Sequence, residues 1–181
     1  PASKAELLIP ALISGLETAA KNRGQSGYKI HIEESGQKYL PNDLFNETVS
    51  IVRPNGAVDE KCAELIDLSD VGNEWEWEDN PEITLIIVES VNHAIELFNT
   101  YSPRLVACLV TKDVAEAEHF YETIQSPFVG DNHTRWVDGQ FALSKPELGL
   151  SNWANGRLFS RGGILTGDSV YTVRTRYITR S

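Results

Sequence analysis

The chain has 181 residues, 41% of them hydrophobic, and a formal net charge of −10. That length buries the core of one globular domain without disulfides or metals. The acidity excludes a sequence-independent grip on nucleic-acid phosphates or on an anionic membrane surface.

The first ten residues, "PASKAELLIP", lack the basic and apolar regions of a signal peptide. No Met occurs anywhere, not even at position 1, so the expectation is a fragment of a longer protein. Residues 5–9, "AELLI", read as a short strand. A helix is expected next, with Pro10 in its first turn, where a missing N–H costs nothing. Leu12, Ile13, Leu16 and Ala20 share its apolar face, and Gly24 stops it. In "YKIHI" (28–32), Tyr28, Ile30 and Ile32 alternate with Lys29 and His31. That pattern predicts a half-buried strand with His31 on its solvent side.

"ETVSIV" (47–52) reads as a strand closed by the turn "RPNG" (53–56). Val58, Cys62, Leu65 and Ile66 fit a short helix with Cys62 facing the core. The acidic aromatic patch "EWEWED" (74–79) follows. "ITLIIVE" (83–89) has the near-continuous apolar character of a strand buried on both faces. Ser90 is placed to cap a helix carrying Ala94, Ile95, Leu97, Phe98 and Tyr101. "RLVACLV" (104–110) is a second buried strand containing Cys108. Asp113 with Glu116 forms a capping box for a helix that buries Val114, Ala117, Phe120, Tyr121 and Ile124. "PFVG" (127–130) is a third, shorter strand.

The order β-α-β-α-β implies an α/β fold with a parallel sheet and right-handed crossovers. Ligands collect outside the carboxyl ends of such strands. The stretch "NHTRWVDGQF" (132–141) leaves the third strand there, without helical or strand period. Residues 150–168 are rich in Gly, Asn and Ser, and 169–179 form a late β-prone segment of the kind that adds to a neighbouring sheet. Two distant cysteines make neither a disulfide framework nor a zinc site, and they fit a cytoplasmic protein. No run reaches the roughly 18 apolar residues of a membrane span.

Six ordered motifs carry a resemblance. They are "EWED" (76–79), "VESVNHAIELFNTY" (88–101), "LVTKD" (109–113), "AEHFYETIQS" (117–126), "TRWVDGQFALSKPELGLS" (134–151) and "SRG" (160–162). In order and spacing they resemble the C-terminal part of the gamma-glutamyl phosphate reductase (glutamate-5-semialdehyde dehydrogenase) family of the aldehyde dehydrogenase superfamily. The resemblance implies an aldehyde dehydrogenase-like catalytic domain over 1–165 and an oligomerisation strand over 166–181. It further implies a small-molecule substrate, a homo-oligomer, and NADP bound mainly by a domain preceding this region. The family's nucleophilic cysteine precedes a strand matched by "ELLI" (6–9), so it is expected at or just before Pro1. Cys62 and Cys108, on a helix face and in a buried strand, are read as inert.

By the same resemblance Arg135, Asp138, Glu147 and Arg161 bind substrate, and Glu76 takes the nicotinamide ribose hydroxyls. The chemistry suits these roles. A guanidinium fork grips carboxylate or phosphate, and a carboxylate accepts from vicinal hydroxyls. The competing readings are structural: Arg135 pairs with Asp138 to close a loop, Glu147 caps or pairs, Arg161 serves a subunit contact. The chain departs from the family at "SPRLV" (102–106), at "FALSKPE" (141–147) and in an insertion before "SRG". These changes touch substrate-facing loops and leave open a degenerate, non-catalytic module kept for assembly or regulation.

Overall fold

A computed structural model describes residues 1–75, 79–104, 106–126, 128–132, 147–149, 152–154, 157–160 and 164–166. The chain divides into two compact units, Pro1–Ser102 and Pro103–Ser181. Both contain parallel strands and helices, and in the second a helix joins the parallel pair, so the class is mixed α/β.

The first unit opens with α1 (Ala2–Asn22), which absorbs the strand expected at 5–9. The apolar run "LLI" looks strand-like, but only its Ile9 is buried, while Leu7 is 72% exposed. The buried residues Ala5, Ile9, Leu16 and Ala20 keep one helical period through the run. Ala5, Ile9 and Leu16 of that stripe join the core with Ile30 and Ile32, and their burial outweighs the backbone bond lost at Pro10, inside the helix. Gly24 ends the helix as expected. Its φ of 73° lets Gly24 N–H bond Lys21 O at 3.0 Å and Gln25 N–H bond Ala20 O at 2.9 Å, the double closure of a Schellman motif.

β1 (Lys29–Glu33) is the central strand of a three-stranded parallel sheet, between β4 (Ala63–Ile66) and β5 (Glu82–Leu85). β2 (Thr48–Arg53) and β3 (Gly56–Lys61) form a hairpin in which Arg53 pairs with Gly56. The turn falls on "RPNG" as expected, and Gly56 takes a φ of 114° that a side chain rarely adopts. Val49 and Ile51 point inward from β2.

The helix expected around Cys62 is replaced by β3 and β4. Val58 and Leu65 are 47% and 48% exposed, so no continuous apolar helix face exists there. Cys62 N–H bonds Glu47 O at 3.0 Å, and its carbonyl accepts from Ile30 N–H at 2.8 Å. The extended backbone is thus satisfied by ladder partners distant in sequence, which no local pattern announces. Cys62 is buried, as anticipated.

The strand expected over 83–89 is shorter, and the partner of β5 is β1. Ser90 caps α2 (Val91–Tyr101), its hydroxyl accepting from His93 N–H. In the second unit, β6 (Val106–Leu109) leads into α3 (Val114–Thr123) and back to β7 (Phe128–Asp131), parallel to β6. Asp113 Oδ1 accepts from Ala115 and Glu116 N–H at 2.9 and 3.2 Å, which is the first half of the expected capping box, while Asp113 N–H bonds Thr111 Oγ1 at 3.1 Å in place of Glu116. Short antiparallel ladders follow: β8 (Glu147–Gly149) with β11 (Ile164–Thr166), and β9 (Asn152–Ala154) with β10 (Arg157–Ser160). The late strand at 169–179 lies outside the described residues.

Candidate functional site

The carboxyl ends of β6 and β7 are latched together by the first residue of "NHTRWVDGQF". Asn132 N–H bonds Leu109 O at 2.8 Å, and Asn132 Oδ1 accepts from Thr111 N–H at 3.0 Å. Its φ of 54° is left-handed, a region Asn tolerates better than most residues. Thr111 Oγ1 in turn accepts from Asp113 N–H at 3.1 Å, joining the latch to the start of α3. The polar stretch therefore departs from a fixed point at the end of a parallel strand pair, where ligands of α/β sheets bind.

Of the residues read as substrate contacts, Arg135, Asp138 and Arg161 lie outside the described residues, as does the ribose candidate Glu76. Glu147 starts β8 and is paired in register with Thr166.

A second polar site went unread in the sequence. It lies on the face of β1 opposite Ile30 and Ile32, where Lys29 and His31 are both 1% exposed. His31 was expected in solvent; the strand is buried on both faces because the β2–β3 hairpin and Trp75 supply partners to its polar side. Lys29 Nζ pairs with Glu60 and, at 2.9 Å, with Glu64. His31 Nε2 lies 2.7 Å from Glu82 Oε1. Nδ1 lies 2.8 Å from Glu64 Oε1, an ion-pair distance poorly aligned for a hydrogen bond. Arg53 forks onto Glu60 through Nε and Nη2, both at 2.8 Å, and reaches Glu82 with Nη2 at 2.8 Å and Nη1 at 3.1 Å. Trp75 stacks on the imidazole with ring centres 3.7 Å apart and planes 8° apart, and its Nε1–H donates to Thr84 Oγ1 at 2.8 Å.

The electrostatics follow from these contacts. Hydrogen bonds from the Arg53 guanidinium, with help from Lys29, hold the Glu60 carboxyl down to about 2 against its desolvation. Burial pushes Glu82 upward, but bonds from His31 and Arg53 outweigh it and keep that carboxyl below its ordinary range. The signal available in the sequence was the pair Lys29 and His31, two residues apart between Ile neighbours, together with Glu60, Glu64 and Glu82. Only the sheet order shows that these meet.

Burial raises both thiols, that of Cys62 reinforced by Glu47 and that of Cys108 partly offset by a backbone hydrogen bond at Gly130. Neither is activated as a thiolate nucleophile. Among the described residues no group of three His, Cys, Asp or Glu side chains is arranged to hold a metal, and no helix is long and apolar enough to cross a membrane.

The architecture thus defines a mixed α/β protein with parallel strands. No family model and no curated protein matches the chain. A solved structure is similar: gamma-glutamyl phosphate reductase from Thermotoga maritima matches 99% of this chain and 36% of its own, with a TM-score of 0.59 and 19% identity. The likeness is one of fold, and this chain spans little more than a third of that protein's length. The family that the ordered motifs resemble is the one to which this fold neighbour belongs.

Proposed function

We propose that the chain is part of an NADPH-dependent reductase that converts gamma-glutamyl phosphate to glutamate 5-semialdehyde in proline biosynthesis. The observation that carries this reading is the fold likeness to gamma-glutamyl phosphate reductase along 99% of the chain. The order of motifs supports it. In this reading residues 1–165 belong to an aldehyde dehydrogenase-type catalytic domain, and 166–181 serve self-association in a cytoplasmic homo-oligomer.

A cysteine outside this chain attacks the acyl phosphate carbon, a C–S bond forms and phosphate leaves. NADPH, when bound, supplies the hydride that releases the aldehyde and returns the thiolate. Glu76 would accept hydrogen bonds from its ribose hydroxyls, the rest of it being held mainly by a domain outside this chain. In this reading Arg135 grips the substrate's carboxylate or phosphate and Asp138 meets its amino group, with Glu147 and Arg161 as further substrate contacts.

The test is an assay of the full-length protein in the reverse direction, with glutamate 5-semialdehyde, phosphate and NADP. Arg135→Ala should lower kcat/KM by about 10- to 100-fold, the worth of a charged hydrogen bond. Absence of turnover by the full-length protein overturns the reading. The departures from the family at "SPRLV" (102–106) and "FALSKPE" (141–147) favour a second one, a non-catalytic module. That reading expects self-association without turnover.

A further inference from the structure

Among the described residues, the five most exposed large apolar side chains fall in two places. Leu7 and Leu8 stand on α1, and Val110, Val114 and Tyr121 stand on α3 and the segment leading into it; all are between 53% and 75% exposed. Single exposed leucines are ordinary, but clusters of this kind mark contact surfaces. On α1, helical spacing aligns Lys4, Leu7, Leu8, Ala11, Gly15 and Thr18 into one exposed strip. A Cβ at Gly15 would meet no atom within 4 Å, so the strip is open there. The Thr18 hydroxyl already donates to Ser14 O at 2.8 Å. Lys4 gives the strip its charge, and the acids Glu6 and Glu17 lie about a third of a turn away around the helix. On α3, Val114, Glu118 and Tyr121 recur at spacings of four and three, all exposed, with Glu122 beside them. The α3 sequence holds Glu116, Glu118 and Glu122 and no Lys or Arg, and Lys112 stands ahead of the helix, beyond its Asp113 cap. The two strips are thus alike in apolar character and opposite in charge.

We propose that α1 of one copy docks on α3 of a second copy, with Leu7 and Leu8 packed against Val114 and Tyr121, and Lys4 set against the α3 glutamates. The small residues Ala11 and Gly15 let the Tyr121 ring approach the α1 backbone. Charge decides which strip meets which: α3 against α3 sets glutamates against glutamates, and α1 against α1 leaves Lys4 without an acid. Because the two surfaces differ, the contact is heterologous and repeats from copy to copy, as a ring or an open chain. Two helix faces make a small interface, so the association is weak and concentration-dependent. This contact is separate from the self-association assigned above to 166–181 and does not depend on the reductase reading.

Sedimentation velocity of the full-length protein over a range of concentrations tests this. The wild-type average mass should rise with concentration. Leu7→Asp and Tyr121→Asp should each raise the dissociation constant by at least about tenfold, since each sets a charge in the apolar contact. Leu7→Asp keeps its α3 strip and Tyr121→Asp keeps its α1 strip. An equimolar mixture should therefore regain a heavier complex that neither variant forms alone. Lys4→Glu and Glu118→Lys should each weaken association by about three- to tenfold, and the chain carrying both should recover it. All four positions are exposed; if an Asp variant nevertheless fails to fold, the charge exchange and its recovery decide. A wild-type mass independent of concentration overturns the contact. So does a loss in Leu7→Asp without one in Tyr121→Asp, a mixture no heavier than its parts, or a charge exchange without recovery.

Discussion

Strand β1 carries Ile30 and Ile32 toward α1 and Lys29 and His31 toward the β2–β3 hairpin, and none of the four is more than 1% exposed. The apolar face gains free energy from every square ångström removed from water, at about 25 cal/mol per Å². The ionic face gains little net, because desolvating its charges cancels most of their attraction. It is instead intolerant of losing one partner, since that leaves a buried charge uncompensated. One strand thus has two faces of similar mutational sensitivity with different physical origins.

The sharpest way to expose that difference is to remove one partner on the ionic side. Glu82 has a side chain only 1% exposed and serves both His31 and Arg53. Glu82→Gln should cost about 3–5 kcal/mol in urea unfolding. A loss below about 1 kcal/mol would show that the charges are compensated by solvent instead. On the apolar side, Ile32→Ala should cost about 2–5 kcal/mol and Ile32→Val about 1, scaling with methyl groups deleted. Such graded loss is expected only of the apolar face.

The ionic face also carries an acid signature. Glu60 sits near 2 in the folded protein, held there first by Arg53, against about 4.3 for a free glutamate. A depressed carboxylate stabilises above its unfolded value, and that stability is lost as pH falls through the folded one. Wild type should therefore lose stability between about pH 4.5 and 2. The shift corresponds to roughly 3 kcal/mol, discounted to about 1–2 because the side chain is 22% exposed. Glu60→Gln should flatten that acid limb in pH-dependent unfolding. An unchanged limb would assign it to other carboxylates.

What was legible in the sequence divides along the same line. Elements specified by neighbours a few residues apart were readable. The Ser90 and Asp113 caps, the Gly24 stop and the turn at 53–56 all formed where expected. Elements specified by distant partners were not. His31 alternates with isoleucines in the manner of a solvent-facing residue, and its polar partners, Glu64 and Glu82, stand about thirty and fifty residues later. Likewise 58–66 has apolar residues at helical spacing, yet Glu47 and Ile30 claim the Cys62 backbone for a ladder. The carboxyl end of the parallel pair was legible as a position, because strand-helix-strand order dictates which ends meet. The latch at Asn132 was not, because it depends on a side-chain bond to Thr111 across the two strands.

The smallest predicted effect separates the two parts of that latch. Asn132 is exposed, so its bond to Thr111 N–H competes with water and contributes only about 0.5–1 kcal/mol. Its φ of 54° adds a separate conformational term. Asn132→Gly removes the side-chain bond but accepts the left-handed backbone freely, whereas Asn132→Ala removes the bond and meets the steric cost as well, roughly 1 kcal/mol more. Gly should therefore be nearly neutral to mildly destabilising, and Ala about 1–2 kcal/mol destabilising, by thermal unfolding. Equal losses in the two variants would mean that the backbone at the end of β7 relaxes out of the left-handed region, and that the hydrogen bond to Thr111 is the whole of the latch.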